Sequence, residues 1–185
     1  MAIVKDNFIL QLVRGSIGKQ ITIYERNGQV IMAKKRGPSN KKPTLKQLQA
    51  RQRMAAAVVK AQQMLADPEL KAYYASLAGP GQNAYNMAVK DAYHAPEIEA
   101  VEIVDEGVTI TVRNEFRVAE VKVNVIDAAG GIVKQGVAIM RRNGVEWHYT
   151  AGSLPAGGRI VAVARDLPGN EGVRELAIPE IKQQK

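Results

Sequence analysis

Few side chains in this chain are equipped for chemistry, and their spacing excludes the common reactions. There is no cysteine, which removes disulfides, thiolate metal sites and thiol nucleophiles together. The two histidines, His94 and His148, stand far apart without ligand spacing, so no zinc-type site is expected. Gly79-Pro80-Gly81 and Gly157-Gly158 lack the Lys-Ser/Thr pair that a phosphate-cradling loop needs. No G-x-S-x-G elbow occurs. The acidic pair Asp105-Glu106 sits in a turn and lacks the ladder of oxygen ligands of a known calcium loop. The expectation is a non-enzymatic protein with no catalytic residue, metal or cofactor.

Charge is the remaining chemical resource, and it is unevenly placed. The chain of 185 residues has a net charge of +8. Residues 1–95 hold fifteen Lys/Arg against five Asp/Glu, a net +10, and residues 96–185 hold eleven against thirteen, a net −2. An asymmetry of this kind favours a polyanionic partner for the first half. The positive groups concentrate at Lys34, Lys35 and Arg36, then Lys41 and Lys42, then Lys46, Arg53 and Lys60. These eight are the candidate contacts to the phosphate backbone of DNA or RNA. The same charges would equally make a solvated face.

The elements that must carry these groups follow from local pattern. Residues 8–33 read as strands, with a break at Arg14-Gly15-Ser16-Ile17-Gly18. Asn27-Gly28 supplies the two positive-φ positions of a type I′ turn, so a hairpin is expected there. A lone hairpin is marginal in water and must pack or pair, with another strand or another copy. Gly37-Pro38-Ser39-Asn40-Lys41-Lys42-Pro43 reads as a flexible basic arm. Thr44-Leu45-Lys46-Gln47 fits a capping box that opens a helix running to about Leu65. On that helix Leu48, Ala55, Val58 and Val59 share one arc, while Lys46, Arg53 and Lys60 share the opposite one. Asp67-Pro68-Glu69 restarts a second helix, packed through Leu70, Tyr73, Tyr74 and Leu77, and a third runs from Gln82 to about Tyr93. Tyr73, Tyr74 and Tyr85 are expected to hold these helices together.

From Pro96 the rhythm changes to β. Seven strands are expected at 98–104, 108–113, 118–126, 132–139, 145–150, 159–165 and 173–178, separated by Gly- and Asn-rich turns. Trp147 and Tyr149 share a strand face and are expected to anchor the core. The fold class is therefore α+β. A basic β-hairpin and three-helix domain occupies 1–95, and an all-β, immunoglobulin-like sandwich occupies 96–185.

Three resemblances accompany these patterns. Val121-Lys122-Val123-Asn124-Val125, Gly136-Val137-Ala138, Trp147-His148-Tyr149 and the ending Ala164-Arg165-Asp166-Leu167-Pro168-Gly169-Asn170 resemble bacterial immunoglobulin-like domains. That likeness implies a sandwich but no activity, since such modules serve as spacers, adhesins and recognition units. Gly15, Gly18, the Asn27-Gly28 hairpin and Pro43-Thr44-x-x-Gln47-x-x-x-Arg51 resemble the opening of a group of uncharacterised bacterial proteins with no settled activity. Leu70-Lys71-Ala72-Tyr73-Tyr74 and Ala84-Tyr85-Asn86 are similar to parts of a high-mobility-group box, a DNA-bending unit. Here the longest helix comes first and the segment has no tryptophan.

Two functions remain open at this stage. One is a nucleic-acid-binding protein whose arm and ridge, within residues 34–60, contact phosphates. The other is a structural or assembly protein, a phage-like virion component or surface module, whose hairpin and sandwich edges bind a protein partner or another copy. No stretch is long and apolar enough to span a bilayer and no signal peptide opens the chain. A cytoplasmic or virion-associated location is expected.

Overall fold

The structure, a computed structural model, describes residues 2–4, 10, 12–35, 37–38, 41–104 and 107–179. Among the described residues three antiparallel sheets and the three helices between Leu45 and Tyr93 make a mixed α+β fold.

The first sheet is built from β1 (Ala2–Val4), β2 (Gly15–Ile17), β3 (Ile21–Arg26) and β4 (Gln29–Lys34), in the order β1-β4-β3-β2. Asn27 and Gly28 both have positive φ, 52° and 73°, and close the β3–β4 hairpin as expected. The hairpin thus finds its pairing partners within the chain. One partner lies where the sequence suggests a break. Gly15–Ile17 is a short strand on β3, and Gly18 (φ 58°) turns the chain back after it. The alternating run at 8–13 falls largely outside the described residues.

The helical unit comprises α1 (Leu45–Met64), α2 (Pro68–Ser76) and α3 (Ala84–Tyr93). All three starts are capped by side chains, which satisfy amides that the first helical turn leaves unpaired. Thr44 and Gln47 form both bonds of the capping box. Asp67 accepts from the Glu69 N–H. Asn83 accepts from the Asn86 N–H, so α3 starts at Ala84 rather than at Gln82.

The face that α1 buries differs from the one its apolar residues suggest. Ala57 and Ala61 are buried, while Leu45, Leu48, Met54 and Val59 are exposed. Small residues win because α1 lies against α3, where Ala88 is likewise fully buried. Two helices approach closely only where side chains are short. The core of this unit is Ala61, Tyr74, Met87, Ala88 and Phe116. Phe116 comes from beyond the helices, so the helical core is completed by the β part.

The remaining strands form two four-stranded sheets. One has the order β5-β6-β10-β9, from β5 (Glu97–Val104), β6 (Gly107–Arg113), β9 (Ile139–Met140) and β10 (Glu146–Tyr149). The other has the order β12-β11-β7-β8, from β7 (Val118–Ile126), β8 (Ile132–Val137), β11 (Arg159–Asp166) and β12 (Glu171–Ala177). A single core joins them. Val108, Ile110 and Trp147 from the first sheet meet Val121, Val123, Ile160 and Ala162 from the second. Trp147 and Tyr149 both contribute to it, as expected.

The strand expected at 132–139 divides at Ala138. This residue is buried and its N–H donates to the Val121 carbonyl at 2.8 Å. The chain there leaves one sheet and, as β9, joins the other. At the opposite margin β5 bulges at Glu99, and the Arg174 guanidinium takes the freed carbonyls of Ile98 and Glu99.

Candidate functional site

The basic stretch lies between the first sheet and the middle of α1. Lys34 ends β4, Lys35 follows it, Lys41 and Lys42 lead into the helix, and Lys46 sits in its first turn. All five are exposed. Arg36 lies outside the described residues. From Arg26 to Ala66 the chain carries ten Lys/Arg and no Asp or Glu, so nothing in this stretch offsets the positive potential. A shallow surface hollow of about 590 Å³ is lined by Lys46, Gln49, Gln52 and Arg53. The two glutamines stand beside the cations as neutral hydrogen-bonding groups. Sequence reading passed over them because it followed charge alone.

The Lys46–Arg53–Lys60 row is not uniformly open to solvent. The Arg53 guanidinium lies 5.1 Å from the centroid of the Tyr93 ring, a cation–π contact with α3. Lys60 is half-buried and donates to Asn170 Oδ1 at 2.8 Å. The row flanks the alanine face that packs inward, so its later members are drawn against the body of the protein. Only its start, Lys46, remains continuous with the arm.

Following Lys60 leads to a buried polar cluster. Asn170 closes the turn after β11, where its N–H donates to Asp166 Oδ1 at 2.6 Å. Its side-chain amide donates to Asp166 Oδ2 and to the carbonyls of Asp91 and Ala92, near the end of α3. Both belong to the last turn of α3, where the Asp91 carbonyl also accepts from the His94 N–H and the Ala92 carbonyl is one that a helix terminus leaves without an intrahelical partner. Asp91 itself is fully buried and accepts from the Tyr74 hydroxyl at 2.6 Å. Its other oxygen, Oδ1, has no hydrogen-bond partner.

The electrostatics of this cluster follow from burial. Loss of water raises the Asp91 carboxyl to about 7, with the charges of Asp166 and Glu115 adding to the rise, while the Tyr74 bond pulls the other way. Burial and the Asp91 carboxylate push the Tyr74 hydroxyl well above the usual tyrosine range. Asp166 is also raised by burial, restrained by its Asn170 bonds and by the Lys60 ammonium. Asp91 and Asp166 are closed to solvent. The arrangement can hold a proton near neutral pH and can clamp the helices to the β part. Sequence reading identified Asp166 and Asn170 only as a strand ending and missed Asp91. The available signal was an acid at position 91 on the same helical face as Met87 and Ala88.

The tyrosines divide in role. Tyr74 is buried edge-on to Tyr73 and Phe116, and the Tyr73 hydroxyl accepts from the Arg117 N–H. Tyr85 is 39% exposed and holds little. His94 packs edge-on against Tyr93, and His148 Nδ1 lies 3.4 Å from Arg141. Among the described residues no three His, Cys, Asp or Glu side chains gather as a metal site. Asp105 and Glu106 lie outside the described residues. No described helix is long and apolar enough to cross a membrane. No protein-family model matches the chain, and no curated protein matches it.

Proposed function

We propose that this protein is a non-enzymatic nucleic-acid-binding protein that grips the phosphate backbone through Lys34, Lys35, Arg36, Lys41, Lys42 and Lys46. The carrying observation is a run from Arg26 to Ala66 with ten cations and no carboxylate, in which Lys34, Lys35, Lys41, Lys42 and the first helical turn are exposed. Phosphate contact needs only clustered, accessible positive charge. Arg53 supports the reading as a stacked, half-anchored cation beside Gln49 and Gln52. Lys60, engaged by Asn170, drops out of the contact set. Recognition is backbone-led, because among the described residues no short helix presents an Arg/Asn set for base edges.

The test is a salt titration of duplex DNA and RNA binding by the full chain. Each lysine that neutralises a phosphate adds about 0.9 to the slope of log affinity against log salt. Replacing Lys35, Lys42 and Lys46 together by alanine lowers that slope by about 2 to 3, whereas Lys60→Ala leaves it unchanged. No binding to either nucleic acid at about 50 mM salt removes the proposal.

The β part we infer to be an immunoglobulin-like sandwich. Naming its eight strands in chain order A, B, C, C′, D, E, F and G turns the two sheet orders into A-B-E-D and G-F-C-C′, the arrangement of that architecture. Its free margin favours a second reading, assembly with copies of itself. β8 and β9 end their sheets on one side, and Ile132, Val133, Val137, Ile139 and Met140 are all at least half exposed there. Edge strands are commonly guarded by a lysine. Lys134 does not guard this one, since its ammonium is tied to the carbonyls of Ala151 and Ser153.

A further inference from the structure

Lys60, Asn170 and Asp166 bring an amine, a carboxamide and a carboxyl together in one partly enclosed site. Lys60 comes from α1, whereas Asp166 ends β11 and Asn170 lies in the turn after it. The Lys60 Nζ lies 2.8 Å from Asn170 Oδ1, across 110 positions of sequence. An amine at hydrogen-bond distance from a carbonyl oxygen is also close to the carbon that bears it. The loss of freedom that slows such a reaction in solution has therefore already occurred on folding.

The carboxamide is held at both ends. Its oxygen accepts from Lys60, and its nitrogen donates to Asp166 Oδ2 at 2.9 Å. The same nitrogen makes longer bonds to the Asp91 and Ala92 carbonyls, at 3.4 and 3.3 Å. Asp166 is 1% exposed and Asp91 is fully buried, and burial raises both carboxyls. Exclusion of water favours the neutral form of a carboxyl, which is the form that can carry a proton. The nucleophile, the leaving nitrogen and a proton carrier thus adjoin one carbon.

We infer that Lys60 and Asn170 join in an intramolecular isopeptide bond, formed by the folded chain itself with Asp166 as the proton carrier. The Lys60 ammonium first gives a proton to Asp166, which leaves the nucleophilic amine. The amine attacks Asn170 Cγ, the new C–N bond forms and the Cγ–Nδ2 bond breaks. Asp166 passes its proton to the departing nitrogen and takes the surplus one from the Lys60 nitrogen. Ammonia leaves, no electron is gained or lost, and no other reactant enters. The bond staples α1 to the β part. This inference does not rest on nucleic-acid binding, from which Lys60 has dropped out.

The experiment measures the intact mass of the folded full chain, held at neutral pH until the mass is constant, and then maps its tryptic peptides. The native chain is expected to be lighter than its sequence by one ammonia. Its digest is expected to contain a branched peptide, uncleaved at Lys60 and joined to the peptide of Asn170. Lys60→Arg keeps a donor for Asn170 Oδ1 but no amine nucleophile, and is expected to keep its full mass. Asp166→Asn keeps an acceptor for the Asn170 N–H and is expected to react slower by about 100-fold or more. Circular dichroism establishes that each variant is folded, and the native chain with Lys60→Arg decides the matter should Asp166→Asn fail to fold. Full mass in the folded native chain overturns the inference. So does an ammonia loss that survives Lys60→Arg, or one that maps to Asn27-Gly28 or Asn143-Gly144, where an asparagine can cyclise on its own backbone. Reaction of folded Asp166→Asn at the native rate overturns it equally.

Discussion

Asp91 shows how one buried group ties stability to pH. Its carboxyl is raised to about 7 by burial, while an unfolded chain would ionise it near 3.8. The folded state therefore favours the protonated form. The stability this group contributes is complete below about pH 4 and is lost as pH rises through about 7. Asp166, raised in the same direction, adds to the trend. Asp91→Asn keeps an acceptor for the Tyr74 hydroxyl and removes the charge. We expect the melting temperature of the native chain to fall relative to Asp91→Asn between pH 5 and pH 8, by roughly 5 °C or more. Thermal melts of both proteins across this window check it, and parallel curves refute the assignment. The sequence offered little warning of this group, because an acid in a helix is ordinarily solvated and only its neighbours in space make it otherwise.

Helix α1 illustrates the limits of periodicity. Its capping box, length and end were legible from Thr44, Gln47 and the Ala66-Asp67-Pro68 boundary, all local features. Its orientation was not. The larger apolar residues Leu48 and Val59 form an arc, yet close contact with α3 selects the alanine face at Ala57 and Ala61. Overfilling that contact by Ala57→Leu is expected to cost about 1–3 kcal/mol. Val59→Lys, on the 54% exposed face, is expected to change stability by no more than about 0.5 kcal/mol. Urea denaturation of the two variants measures both. The reverse ranking would mean that Leu48 and Val59 are the buried arc. The β strands were easier to read, since alternation such as Val121-Lys122-Val123-Asn124-Val125 states which side chains face inward. The switch at Ala138 was not, because a chain that crosses between sheets keeps its extended pattern.

The three parts of the molecule are joined by few but specific contacts. The hairpin tip at Asn27 meets Gly81 in the α2–α3 loop, where φ is 75° and a Cβ would displace the Asn27 side chain. Phe116 and Leu167 of the β part complete the helical core, and Asn170 links Lys60, Asp91 and Asp166. β8 and β9 are the terminal strands of their sheets, and the proposed pairing of copies through this margin is a prediction about the whole molecule. Sedimentation of the native chain is expected to show association that grows with concentration. The pair Val137→Lys and Ile139→Lys, both at exposed positions, is expected to abolish it. A native chain that stays monomeric at the highest attainable concentration would rule out assembly through this edge.

By itself the sequence determined the α+β class, the cap of α1, the Asn27-Gly28 hairpin, the strand succession after Pro96 and the concentration of charge before residue 66. Each depends on neighbours within a few positions, where backbone geometry and charge count are already decided. Only the tertiary structure decided which face of α1 is buried, that Arg53 and Lys60 are turned to internal partners, and that Asp91 sits beside Tyr74 and Asp166. Those outcomes depend on contacts between residues as far apart as Lys60 and Asn170. The loss of water that sets their energies exists only once the chain has folded around them.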